Sequence, residues 1–104
     1  MAVTTIAGTE VQVDAEGFMT EYDEWNEDIA AALAGNIGIE LGEAHWQVIN
    51  FLREDYKEQG ETPMLRRVST VGGVSTKELF QLFPKKPAKK MSYIAGVPKP
   101  QGCV

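Results

Sequence analysis

The residue best suited to chemistry is the single cysteine, Cys103, the next-to-last of 104 residues. It ends the stretch VPKPQGCV, which holds too much proline and glycine for a helix or a central strand. A lone thiol in this position cannot form a disulfide within the chain. Its thiolate is a nucleophile that exchanges with sulfur on other molecules, so the sequence predicts thiol chemistry directed at a partner.

The last nine residues, 96–104, are called the arm below. Proline holds its backbone extended at about 3.1 Å per residue, which predicts a reach of roughly 20–25 Å for Cys103. Glycine at its base and tip predicts mobility. The arm residues expected to matter for this reach are Gly96, Pro98, Lys99, Pro100 and Gly102.

Charge is distributed unevenly along the chain. Residues 1–60 hold two basic and thirteen acidic side chains, whereas residues 61–104 hold eight basic and two acidic ones. This asymmetry indicates an acidic partner for the second half, although a solvated basic surface is an equal alternative. The residues predicted to dock a partner, or to stabilise a thiolate that the Val104 carboxylate disfavours, are Arg66, Arg67, Lys85, Lys86, Lys89 and Lys90.

The other residues that could be catalytic or bind a metal do not form a recognisable site in the sequence. His45 is the only histidine, and no second ligand lies at metal-binding spacing, so we interpret it as a surface or packing residue. The acidic residues between 21 and 28 lack the alternation and the glycine of a calcium loop. The sequence also lacks a glycine-rich phosphate loop and a serine-nucleophile motif. We therefore expect no metal and no cofactor.

The secondary structure needed to position the thiol is mainly helical. Residues 3–6 and 10–13 are β-prone and predict a hairpin within residues 1–15. A helix capped by Asn26 should end at Gly35, and the longest helix should run over residues 43–59 and form the centre of the core. The predicted fold is a small α+β helical bundle over residues 1–95, followed by the arm.

Two short helices around Gly72-Gly73 predict a helix-turn-helix. The first should be capped by Thr62 and continue to Val71, and the second should run from Ser75 to Phe83. Residues 87–95 should add one or two helical turns. This shape permits DNA binding, but four apolar residues within 79–83 predict a largely buried second helix, with few positions left for base contacts.

Composition sets the remaining limits. The sequence has no apolar run of about 18 residues and no signal-peptide pattern, so we expect no membrane contact. A single cysteine is typical of a protein in a reducing compartment, which predicts a cytoplasmic location.

Five segments, in order over nearly the whole chain, together resemble the DsrC/TusE family of sulfur-relay proteins. They are residues 17–25 with GFM and a tryptophan, EAHWQVINFLREDY at 43–56, the Pro-x-x-x-Arg segment at 63–67, LFPKKPAKK at 82–90 and IAGVPKPQGCV at 94–104. The resemblance implies a mainly helical domain with an N-terminal hairpin and a mobile arm. It also implies that Cys103 carries sulfur as a persulfide.

At one position this sequence departs from the pattern of some family members. Members that serve dissimilatory sulfite reductase carry a second arm cysteine eleven residues before the last, where this chain has Ser92. The single-cysteine pattern resembles the TusE branch. That branch takes sulfur from a TusBCD-like donor and passes it to a thiouridylase-like acceptor in the formation of 2-thiouridine in tRNA. The chain is thus expected to be a sulfurtransferase component rather than a stand-alone enzyme.

Two alternatives remain open at this point. One is a DsrC-like partner or gamma-type subunit of sulfite reductase. The other is a DNA-binding regulator of the helix-turn-helix class, in which Cys103 senses sulfur or redox state.

Overall fold

The computed structural model describes residues 2–100 and begins with the predicted hairpin. Strand β1, Ala2–Ile6, pairs antiparallel with β2, Thr9–Val13, so that Ala2 lies opposite Val13 and Ile6 opposite Thr9. Ala7 and Gly8 form the two-residue turn, and both have positive φ values, 51° and 79°. Positive φ at both turn positions matches the right-handed twist of a tight hairpin.

Within residues 2–100, five helices follow the hairpin, and a 3-10 turn at Tyr22–Glu24 precedes them. They are α1, Glu27–Asn36; α2, Glu43–Gln59; α3, Leu65–Thr70; α4, Thr76–Leu82; and α5, Pro87–Ala95. The predicted caps of α1 and α4 are present: Asn26 accepts a hydrogen bond from the Ile29 amide at 2.9 Å, and Ser75 accepts one from the Glu78 amide at 3.2 Å. The α+β prediction is confirmed.

The third helix begins later than predicted. Its first residue is Leu65 and its last is Thr70, with Met64 at the N-cap position, so Thr62 and Pro63 lie in the preceding loop. The Thr62 hydroxyl does not cap a helix, because it donates a hydrogen bond of 2.7 Å to the carbonyl of Pro98. A tertiary partner thus replaces the local one that the Thr-Pro pair predicted.

The core is shared by α2 and α5. Helix α2 buries Val48, Ile49 and Leu52, while α5 is nine residues long and buries most of its length, including Met91 and Ile94. The bounds of α5 are those that the sequence predicted for residues 87–95, with Pro87 in its first turn and Gly96 as its left-handed cap. A second apolar cluster lies between the hairpin and α1.

Helix α4 is less buried than its composition predicted. Leu79 and Phe83 are fully buried, but Phe80 is 48% exposed. Residues 79 and 83 share one helix face because they are four positions apart, and position 80 is rotated away from it. Among residues 2–100, no helix is long and apolar enough to cross a membrane.

Candidate functional site

The base of the arm lies where α5 ends. Gly96 takes the left-handed conformation at φ 70°, and its amide and that of Val97 bond back to carbonyls of the last turn. A Cβ atom built on Gly96 would lie 2.3 Å from Cδ1 of Trp25. Both the backbone conformation and the close ring therefore require glycine where the arm begins.

The last carbonyls of α5 are held by side chains from distant parts of the chain. Nε1 of Trp25 donates a hydrogen bond of 2.9 Å to the carbonyl of Ile94, and Nη1 of Arg53 donates one of 2.9 Å to the carbonyl of Ala95. Carbonyls at a helix C-terminus have no partner within the helix, so these two donors satisfy groups that would otherwise need water. They also fix the direction in which the arm leaves α5.

Arg53 is itself held between two aromatic rings. Its guanidinium carbon lies 3.9 Å from the ring centroid of Tyr22 and 4.0 Å from that of Trp25, and Nη2 donates to the Tyr22 carbonyl at 3.0 Å. Burial lowers the pKa of Arg53, an effect that the charge of nearby Asp23 opposes. We call Tyr22, Trp25 and Arg53 the aromatic anchor. None of the three was singled out as functional from the sequence, although all three lie inside the resembling segments.

Substitution of Arg53 should show the strength of this anchor. Arg53→Ala removes two charge-assisted hydrogen bonds and two cation–π contacts, so we expect the free energy of unfolding to fall by about 2–4 kcal/mol. Arg53→Lys should keep only part of this stabilisation, because the positive charge remains but an ammonium lacks the planar fork that reaches both carbonyls. Urea unfolding measures the free energy of unfolding of both variants. Arg66→Lys on exposed α3 is the control, and an equally small change for Arg53→Lys and Arg66→Lys would contradict the anchor.

The first five residues of the arm pack on the domain. Val97 and Pro100 are buried, Thr62 donates to the Pro98 carbonyl, and Nζ of Lys99 lies 3.1 and 2.8 Å from the carboxylate oxygens of Glu16. The predicted extended arm thus begins as a segment in contact with the domain. Gly102 and Cys103 lie outside the described residues, and the mobility of the arm stays a prediction.

The ion pair at Lys99 sets the titration of its partner. The hydrogen bond from Lys99, together with the charges of Lys99 and Lys89, lowers the pKa of Glu16 below its ordinary value of 4.5 despite some desolvation. A carboxyl whose pKa is depressed by folding contributes stability above its unfolded pKa and loses it as the pH falls through the folded one. The contact between Lys99 and Glu16 should therefore persist at neutral pH and be lost in acid.

A groove of 620 Å³ runs beside the arm's base, between the end of α2 and α3. Its lining includes Pro98 and Lys99 of the arm and the predicted docking residues Arg66 and Arg67. Arg67 makes a bidentate pair with Asp55, with N···O distances of 2.8 and 2.7 Å, and this hydrogen bond raises the pKa of Arg67. Arg67 is therefore committed to a structural pair, while Arg66 is exposed in the groove.

The match to known families covers nearly all of this chain. The family model described as DsrC-like protein matches residues 5–104. This chain belongs to the DsrC-like family. Sulfurtransferase TusE of Salmonella typhimurium is 41% identical over 104 aligned residues, which cover 93% of this chain and 95% of the relative. Sulfurtransferase TusE of Escherichia coli K12 is 38% identical over the same shares.

A solved structure of the DsrC-like family shares this fold. The solution structure of DsrC from Allochromatium vinosum has a TM-score of 0.81 at 38% identity, and covers 98% of this chain and 97% of its own. The resemblance of the sequence to the DsrC/TusE family is confirmed.

The four predicted docking lysines of this DsrC-like chain have different local contacts. Lys85 and Lys86 are exposed between α4 and α5, with positive φ values of 58° and 46°. Nζ of Lys90 donates to the Pro84 carbonyl at 2.6 Å, and Nζ of Lys89 lies 3.6 Å from Glu16. Lys89 is therefore the member nearest the arm, on the side of Glu16, whereas Arg66 and Arg67 line the groove.

Two further positions in this DsrC-like chain have structural roles. Nδ1 of His45 accepts from the Gly42 amide at 3.1 Å, so its Nε2, 2.9 Å from the Leu82 carbonyl, acts as the donor there. Ser92 is fully buried, and its hydroxyl donates to the Ala88 carbonyl at 2.8 Å. His45 thus links α2 to the end of α4, and Ser92 faces the core. Residues 2–100 contain no group of three or more acidic, histidine or cysteine side chains placed to hold a metal.

Proposed function

We propose that this protein is a sulfur carrier that holds a persulfide on Cys103. The observation that carries the proposal is the 38–41% identity, over 93% of the chain, to proteins named Sulfurtransferase TusE. Cys103 is the only thiol available for such a role. The aromatic anchor supports it as well, because a rigid base with two bound carbonyls starts the arm from a defined point.

The proposed reaction is two successive exchanges at sulfur. The Cys103 thiolate attacks the outer sulfur of a donor persulfide; the new S–S bond forms as the old one breaks, and the donor leaves as a thiolate. Cys103 then carries the outer sulfur with its proton. A thiolate of the acceptor attacks that sulfur in the same way and returns Cys103 to a thiolate. No net oxidation occurs in either step, so no cofactor is required.

The proposed partners are the donor and acceptor proteins of a sulfur relay. By the family resemblance we propose a TusBCD-like donor and a thiouridylase-like acceptor, a cytoplasmic location, and tRNA as the final acceptor of the sulfur. The exposed Arg66 beside the arm's base offers a positive charge to an anionic persulfide or to an acidic partner surface.

A role as subunit of dissimilatory sulfite reductase is the second candidate. It is supported by a similarity to the oxidized gamma-subunit of the dissimilatory sulfite reductase (DsrC) from Archaeoglobus fulgidus, with a TM-score of 0.79 at 34% identity over 99% of this chain and 100% of that one. The buried Ser92 weighs against a cycle with two thiols on this chain, because a hydroxyl cannot hold bridging sulfur.

Mass spectrometry of the intact protein tests the proposal. After incubation with a donor protein that carries a persulfide, we expect the mass to rise by about 32 Da, the mass of one added sulfur. Reduction with a thiol should remove the increment. If no donor persulfide, whether on a protein or on a small thiol, adds this mass, the proposal is wrong.

A further inference from the structure

The packed part of the arm is held chiefly by side chains. Pro98 and Pro100 have no N–H, so this stretch offers almost no backbone donors to the domain. The contacts that remain are the Thr62 hydroxyl on the Pro98 carbonyl at 2.7 Å, and the Glu16 carboxylate on Nζ of Lys99 at 2.8 Å. These two side chains supply the polar contacts that hold residues 98–100 on the domain, where Pro100 is also buried.

These two side chains come from different parts of the fold. Thr62 lies in the loop between α2 and α3, and Glu16 lies in the turn after β2. Successive arm residues thus contact two separate surfaces. The hydroxyl contact is partly buried, while the ion pair is exposed, with 47% of the Glu16 side chain and 37% of the Lys99 side chain accessible. Exposed ion pairs are weak and screened by salt, so this hold is reversible.

The hold changes how far the thiol can travel. Cys103 is three positions after Pro100, and fully extended chain covers at most about 3.3–3.6 Å per residue, so the chain length limits Cys103 to within about 10 Å of Pro100. If residues 98–100 are released, buried Val97 becomes the last fixed point. Cys103 is six positions after Val97, so the limit rises to about 20 Å.

We infer that Thr62 and Glu16 are positioning residues, which hold residues 98–100 on the domain and so keep Cys103 within reach of the groove that contains Arg66. The inference rests on the proposed role of Cys103 as the sulfur carrier. A partner that receives sulfur deep in its own active site must first release these two contacts. A partner that binds over the groove can reach the thiol while the contacts of Thr62 and Glu16 with the arm are still intact.

Distance measurement between two spin labels tests this inference. One label is placed on Cys103 and the other on a cysteine introduced at exposed Asn50 of α2, in the full-length protein. Thr62→Val removes the hydroxyl donor at nearly constant volume, and Glu16→Gln removes the charge. We expect each variant to broaden the distance distribution. The double variant should broaden it further and change its limits by about 10 Å.

The matched controls are Thr4→Val on exposed β1 and Glu40→Gln in the exposed loop before α2. Neither control should change the distribution, and all variants should keep the wild-type unfolding temperature to within a few degrees. Acidification below pH 4.5 should broaden the wild-type distribution and leave Glu16→Gln unchanged, because Lys99 and Lys89 are the charges that face Glu16.

The distance distributions test the positioning of the arm independently of sulfur loading. If the double variant gives the wild-type distribution, Thr62 and Glu16 do not position the arm, and the inference is wrong even if Cys103 takes up sulfur. If loading by the donor fails while the distributions differ as expected, the inference about the arm stands and the proposed function does not.

Discussion

Cys103→Ser is expected to abolish sulfur loading and transfer completely. The variant has no thiol, and a serine hydroxyl neither attacks a persulfide at neutral pH nor holds sulfur in an exchangeable S–S bond. The free energy of unfolding should not change, because serine and cysteine are similar in size and, within residues 2–100, the apolar core ends near Val97 with only Pro100 buried beyond it. Intact-mass spectrometry after treatment with the persulfide donor measures loading, and urea unfolding measures stability.

A relocated thiol provides the matched control. The double variant Cys103→Ser, Ser92→Cys keeps one cysteine in the chain but moves it to a fully buried position on α5. Serine and cysteine are similar in size, so the cost should be about the 0.5–1.5 kcal/mol of the lost hydrogen bond to Ala88. We expect no loading, because the donor cannot reach position 92. An adduct of about 32 Da on Cys103→Ser alone would contradict the assignment of Cys103.

Gly96→Ala is expected to destabilise the protein strongly. The new Cβ would meet Trp25 at 2.3 Å from Cδ1, 2.8 Å from Cγ and 3.0 Å from Cβ, and the residue would keep a φ of 70°. The left-handed conformation costs about 1–2 kcal/mol and overpacking about 1–3 kcal/mol more, so we expect a total loss of about 2–5 kcal/mol. Because Trp25 holds the Ile94 carbonyl, the arm's base should also shift.

Gly60→Ala separates the two causes. Gly60 caps α2 at φ 76°, nearly the same conformation as Gly96, but a Cβ there would have no atom within 4 Å. The Gly60→Ala variant should lose only the conformational part of the stability, about 1–2 kcal/mol. Urea unfolding of both variants gives the contribution of the Trp25 contact as a difference. Equal losses at the two glycines would show that Trp25 adjusts without cost and that the base of the arm is not rigid.

The features that the sequence predicted correctly are those set by neighbours along the chain. Asn26 and Ser75 cap their helices because each needs only a backbone amide three residues later. The hairpin and the long helix α2 follow from the alternation and the helical spacing of apolar residues. The single thiol and its place at the chain end are also properties of sequence alone.

The predictions that failed are those in which a distant partner outweighed a local signal. Thr62-Pro63 has the composition of a helix start, yet the hydroxyl of Thr62 bonds to Pro98, 36 residues away. Phe80 resembles its apolar neighbours, but the position of α4 on the core leaves it exposed.

Tertiary structure alone decided how the arm begins. Trp25 and Ile94 are 69 residues apart, Arg53 and Ala95 are 42 apart, and Glu16 and Lys99 are 83 apart, so no local pattern connects them. Each contact exists because α2, α5 and the segment after the hairpin pack together, and packing brings a donor to a carbonyl or a carboxylate to an ammonium. The sequence by itself determined that the single thiol follows a proline-rich segment, whereas packing determined where that segment leaves α5 and which side chains hold its first residues.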